Sequence, residues 1–231
     1  MTQPQYPTDE GIWSGGDRGE SSFADVRLGT PYPEAVAHLR GAITGRDDFD
    51  PVSLFVWGTM QATGVLNILK DVEEAFGDEG QAVVRKGLKR AGREAMEGLI
   101  ADSDFPEQMD EATTISYLVT GMNTVIYASL ERPWIASGER AEFDILWCPH
   151  QDRYTAFDCR VQRYFVEGMI EAVDAAGYPA MTGWVESLIP GGADCCHFVI
   201  ETRDETERNP WHIYSDQLGR RALDGMTGVD A

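Results

Sequence analysis

The chain is poor in positive charge. It carries 19 Lys and Arg against 39 Asp and Glu, which leaves a formal net charge of −20. Binding to a phosphate backbone draws on Lys and Arg that displace counterions, so a nucleic-acid partner is not expected. An anionic membrane surface is disfavoured for the same reason. Cysteine and histidine are scarce, at four residues each. Four thiols with no Cys-x-x-Cys pair do not make the framework of a disulfide-stapled domain. No run of about 18 apolar residues stands out, so no membrane-spanning helix is expected. The opening MTQPQYPTDEGIW has neither the charged nor the apolar part of a secretory signal. A cytoplasmic setting with reduced thiols follows as the expectation. Internal repeats and low-complexity tracts are also missing.

The material for a core is ample. Hydrophobic residues make up 42% of the 231 positions, with six Trp, eight Tyr and nine Phe. This suits one domain that needs neither metal nor disulfides to fold. Residues 1–50 read as an N-terminal arm, polar and rich in Gly, Ser, Asp and Pro, with a short helix starting near Pro33. The domain proper is expected over residues 51–204, and 205–231 reads as a polar tail pinned to the surface by Trp211 and Tyr214. From Pro51, Leu54, Trp57, Val65, Ile68, Leu69 and Val72 recur at helical spacings, and Gly77 marks a stop. A second helix carries Val84, Leu88, Ala91, Ala95 and Leu99 on one face, and a third is expected over Ala112 to Leu130.

The period then changes. AEFDILWC (141–148) reads as a strand, 153–177 as an amphipathic helix ending at Gly177, GWVESLI (183–189) as a strand, PGGAD as a turn and CCHFVIET (195–202) as the return strand. The fold class is α+β: N-terminal helices packed on a small antiparallel sheet, with a C-terminal β-α-β-β unit.

The chemistry-bearing residues gather in that unit. Neighbours on a strand point to opposite faces, so if Cys196 shares the core face with Phe198 and Ile200, then Cys195, His197 and Val199 face away. Cys148 closes one strand, His150 follows the rigid Pro149, and Cys159 stands near the start of the next helix. Cys148, Cys159 and Cys196 are therefore expected to converge. Three readings stand side by side. The thiols can be packed small hydrophobes. Cys148, Cys159 and Cys196 with His150, or with His197, can be ligands of zinc or iron, which needs three or four donors about one point. Or Cys196 or Cys148 can be a nucleophile, served by His150 or His197 as base and oriented by Asp152, Asp158 or Asp194. Arg160 and Arg163 are candidates to hold a substrate carboxylate, with an exposed ion pair as the alternative. Trp134 and Trp184, near expected sheet edges, are candidates for a homodimer contact.

WCPH, AFDCR and GGADCCHF, preceded by EEAFGDEGQAVVRKG, together resemble the L-2-amino-thiazoline-4-carboxylic acid hydrolase family over about residues 54–202. The last motif is also similar to vinyl-reductase-like small-molecule-binding domains. The first resemblance implies hydrolytic opening of a small cyclic amidine: water or a thiolate attacks the ring C=N carbon, and a cation holds the carboxylate. On it, Cys148, Cys159, Cys196 and Asp194 are expected at the site, and His197 stands where relatives often have an acid. The second resemblance implies a non-catalytic module that binds a small molecule.

Overall fold

The computed structural model describes residues 18–23, 25–43, 46–204 and 206–227. Most of the glycine-rich stretch at 11–22 lies outside the described residues. Among the described residues five α-helices and four strands follow one another: α1 (Pro33–Ile43), α2 (Val52–Ala101), α3 (Glu111–Thr120), β1 (Leu130–Ser137), β2 (Arg140–Trp147), α4 (Arg160–Ala175), β3 (Met181–Ser187), β4 (Cys196–Thr202) and α5 (Pro210–Thr227). The strands form one antiparallel sheet in the order β1-β2-β4-β3. The α+β class read from the sequence is the class observed.

Several elements depart from expectation. The third helix is regular only to Thr120; a π-helical turn, Gly121–Ile126, follows it, and the chain then enters β1. Thr113, Thr114 and Val119 are helical all the same, because the packed side of α3 is buried end to end and Asp110 caps it by accepting from the Thr113 N–H at 2.7 Å. β1 contains Pro133, which argues against a central strand. It is an edge strand, where a missing N–H is tolerated. The C-terminal unit is accordingly β-β-α-β-β. The tail departs as well. It forms α5, opened by Asn209, whose Oδ1 accepts from the Trp211 N–H at 2.9 Å, and by Pro210 at the first helical position. Trp211 is buried there, not laid on the surface.

α2 and α4 lie in direct backbone contact. A Cβ on Gly168 would sit 1.8 Å from the Lys89 carbonyl oxygen, and one on Gly92 would sit 2.0 Å from that of Phe165. Buried charge ties the same helices together. Arg160 on α4 meets Glu73 on α2 at 2.5 Å. Glu167 on α4 takes Arg85 of α2 at 2.6 Å, and Arg85 also holds Asp216 of α5. The main core lies between α3, α4 and one face of the sheet, with Leu118, Met169, Val173 and Cys196 in it. Val26 and Leu28, from the segment before α1, are buried against Tyr117 in a smaller cluster.

α2 bends at Gly77, whose φ of 56° and ψ of −137° are not helical, so the stop expected there is a kink between two helical arms. By length and composition α2 also contains an 18-residue window apolar enough to cross a membrane, and only 11% of that window is buried. The expectation that the chain holds no such stretch is corrected. Residues 52–69 carry no charged side chain.

Candidate functional site

Between α4, the π turn and the inner face of the sheet lies a cavity of about 150 Å³. Its position follows from three periodicities. On α4, Cys159, Gln162, Arg163, Val166 and Ile170 share one face at i, i+3, i+4, i+7 and i+11. On the strands, alternation brings Phe143 and Ile145, then Gly183 and Val185, then Cys196 and Phe198 to the same side. The π turn adds Met122 and Asn123. The lining is almost wholly apolar.

Cys148, Cys159 and Cys196 all line this cavity, as does His150. The convergence expected from a strand end, a helix start and a hairpin is what the fold builds. Cys196 is buried and its Sγ accepts from the Ile189 N–H at 3.2 Å. The backbone N–H of Cys148 donates to Gln151 Oε1 at 3.0 Å. All four cysteines are free. Burial pushes the thiols of Cys148 and Cys196 up from their ordinary value. Burial, helped by the neighbouring Cys148 and Cys196, pushes Cys159 up to about 12, and Arg163 nearby only partly offsets this. The three are therefore protonated thiols near neutral pH, and none is poised as a thiolate. Nor do they form a preformed ligand set: among the described residues no three His, Cys, Asp or Glu side chains are grouped to hold one metal ion. Zinc or iron held by Cys148, Cys159, Cys196 and His150 does not fit this arrangement.

His150 stacks on Tyr154 with ring centroids 4.9 Å apart, and the Tyr154 hydroxyl donates to the Ala62 carbonyl at 2.9 Å. Its Nδ1 is buried without a hydrogen-bond partner. Burial lowers its pKa, so the imidazole is neutral.

Among the described residues Arg163 is the one cation on the lining. It is 6% exposed, and none of those residues pairs a carboxylate with it. Its guanidinium lies over two rings of α5, 4.5 Å from the centroid of Trp211 and 4.1 Å from that of Tyr214. The Trp211 indole N–H donates to the Arg163 carbonyl at 3.4 Å. Nη1 has no hydrogen-bond partner. Burial lowers the guanidinium pKa to about 10, which marks a charge held in apolar surroundings without its counterion.

The remaining sequence candidates lie elsewhere. Arg160, one turn earlier on α4, is paired with Glu73 of α2 and does not line the cavity. Asp194 is exposed in the turn before β4 and does not line the cavity. His197 is on the opposite face of the sheet, as alternation from Cys196 requires. There it stacks on Trp134 and its Nδ1 lies 2.9 Å from Asp144. Several polar lining residues escaped the sequence reading, Asn123, Ser129, Gln162 and Thr182 among them, and Trp211, read as a surface pin, also lines the cavity. Only Trp211 carried a signal, an isolated aromatic directly after Asn-Pro.

No known family profile matches the chain. It is 49% identical over 220 residues to an uncharacterized protein of Archaeoglobus fulgidus, a match that spans 92% of this chain and 96% of that protein. The chain belongs to the same family as that archaeal protein.

Proposed function

We propose that the protein binds a small, mostly apolar carboxylate in this cavity, with Arg163 as its anchor. The carrying observation is the buried guanidinium on the wall of a mostly apolar chamber, whose Nη1 has no hydrogen-bond partner among the described residues. Buried polar groups are nearly always hydrogen-bonded, and a buried charge without a counterion is destabilising. A ligand carboxylate supplies both the missing acceptor and the missing charge, in the planar geometry that guanidinium matches. The volume sets the rest of the ligand. A cavity of about 150 Å³ accommodates a body the size of a single small ring. Four free thiols fit a reducing, cytoplasmic location.

A second reading rests on His150. It is a neutral imidazole with a free Nδ1 on the same lining, and it fits the role of general base for water attack on a ring C=N carbon. That reading makes the protein a hydrolase of a cyclic amidine or thiazoline carboxylate. The raised thiols favour water over a cysteine as the nucleophile.

A thermal-shift screen of single-ring carboxylates and their neutral amides tests the binding reading. Carboxylates that raise the melting temperature, with silent amides, are expected. Equal shifts from both sets would contradict it. Mass spectrometry of the same mixtures, with 2-amino-thiazoline-4-carboxylate included, reports hydrolysis as a gain of one water. His150→Gln is expected to abolish that gain and keep binding.

A further inference from the structure

The first arm of α2 carries a surface that a lone acidic chain does not explain. Val52, Leu54, Phe55, Val56, Trp57 and Met60 are each between 43% and 59% exposed. These positions run around the whole circumference of the helix. A helix that is apolar on every side is a buried helix. The surface continues through Ile68 to Phe76, which is 69% exposed beside the bend at Gly77. Together these eight side chains expose roughly 800 Å² of apolar surface, more than the largest patch usual on a monomer and about what one partner contributes to a stable interface.

We propose that this arm is the interface of a homodimer, covered by the same segment of a second copy. Charge selects the occupant. The chain has a net charge of −20, so two copies repel each other over most of their surface. Residues 52–69 hold no charged side chain, so two copies can meet here without placing like charges together. A two-fold arrangement makes the patch its own complement. Gly58 and Gly64 have open space where a side chain would stand, which allows a partner helix to approach closely. A bilayer fits less well. Asp47, Asp48 and Asp50 precede the arm, and Asp71, Glu73 and Glu74 follow it, against the single cations Arg46 and Lys70. Such flanks lack the basic anchors of a membrane helix. The second half of the arm is already engaged by protein: Leu66 and Leu69 are buried against Tyr154, Val161 and Tyr164. The arm also touches the sheet, where the Phe55 ring lies 6.1 Å from that of Trp147, the residue before the cavity-lining Cys148.

Sedimentation velocity of the full chain over a wide concentration range tests the proposal. The expected species has twice the chain mass of 25.6 kDa, and the melting temperature should rise with protein concentration. Trp57→Glu should raise the dimer dissociation constant roughly 100-fold, as loss of a central aromatic does. Far-UV circular dichroism confirms that the variant is folded; if it is not, the milder Met60→Gln should still weaken the dimer measurably. A wild-type monomer throughout the range would overturn the proposal, as would a dimer that the folded variant leaves unchanged. Flotation of the wild type with phosphatidylcholine vesicles would overturn it in favour of a membrane.

Discussion

Arg163 sits where an apolar side chain would be more stable. A guanidinium lowered by burial to about 10 carries a penalty on the order of 3 kcal/mol for staying charged in the ligand-free fold, at about 1.4 kcal/mol per pH unit. Arg163→Met keeps much of the packing on Trp211 and Tyr214 and removes the charge. We expect this variant to be more stable than the wild type by about 1–3 kcal/mol in urea denaturation, and to lose carboxylate binding. Stability gained as binding is lost is the signature of a residue kept for a ligand. His150 gives a pH test. Burial holds its folded pKa below the unfolded value of 6.5, so below that pH the unfolded chain binds more protons than the folded one. Its contribution is complete above pH 6.5 and is lost as pH falls from there toward the folded pKa. His212 shifts the same way. His150→Gln should therefore flatten, without abolishing, the decline of the melting temperature just below pH 6.5. An unchanged slope would mean that His150 is not held neutral by the fold.

At the scale of elements, the α2–α4 pair is the frame that aims Arg163. The two helices are close enough that Gly168 admits no Cβ, and α4 has no freedom to rotate its cavity face away. Gly168→Val should cost about 3 kcal/mol or more, seen as a lower urea midpoint. A stability close to wild type would mean that the helices can separate cheaply. Glu73→Leu takes the close counterion from the buried Arg160, leaves only Asp158 at 3.8 Å, and should cost about 3 kcal/mol in the same assay. The elements also show what the sequence could and could not reveal. The thiol convergence was legible because Cys148, Cys159 and Cys196 stand at a strand end, a helix start and a hairpin that antiparallel pairing must bring together. The split between Arg160 and Arg163 was not. The two stand three residues apart, only about 60° around the helix, and the position of α2 decides which arginine meets Glu73. β1 was hidden by Pro133, a strand breaker everywhere but an edge. α5 was hidden by polar composition: its buried side is set by contacts with α2 and α4, including Arg85–Asp216, which no local pattern announces.

On the scale of the molecule, one arm of α2 faces outward with apolar side chains while the other arm, past the bend at Gly77, carries the helix pair that frames the cavity. The dimer surface thus lies on the helix that frames the candidate site, and its Phe55 ring lies 6.1 Å from that of Trp147, the residue before Cys148. The acidic surface leaves the buried cation as a local exception, and a local exception is what a ligand can recognise. The measurement that bears most directly on this account is a calorimetric titration of wild type and Arg163→Met with one ring carboxylate and its amide. The account predicts binding of the carboxylate to the wild type alone, with the amide silent and the variant folded. Equal affinity of wild type and variant for the carboxylate would contradict it.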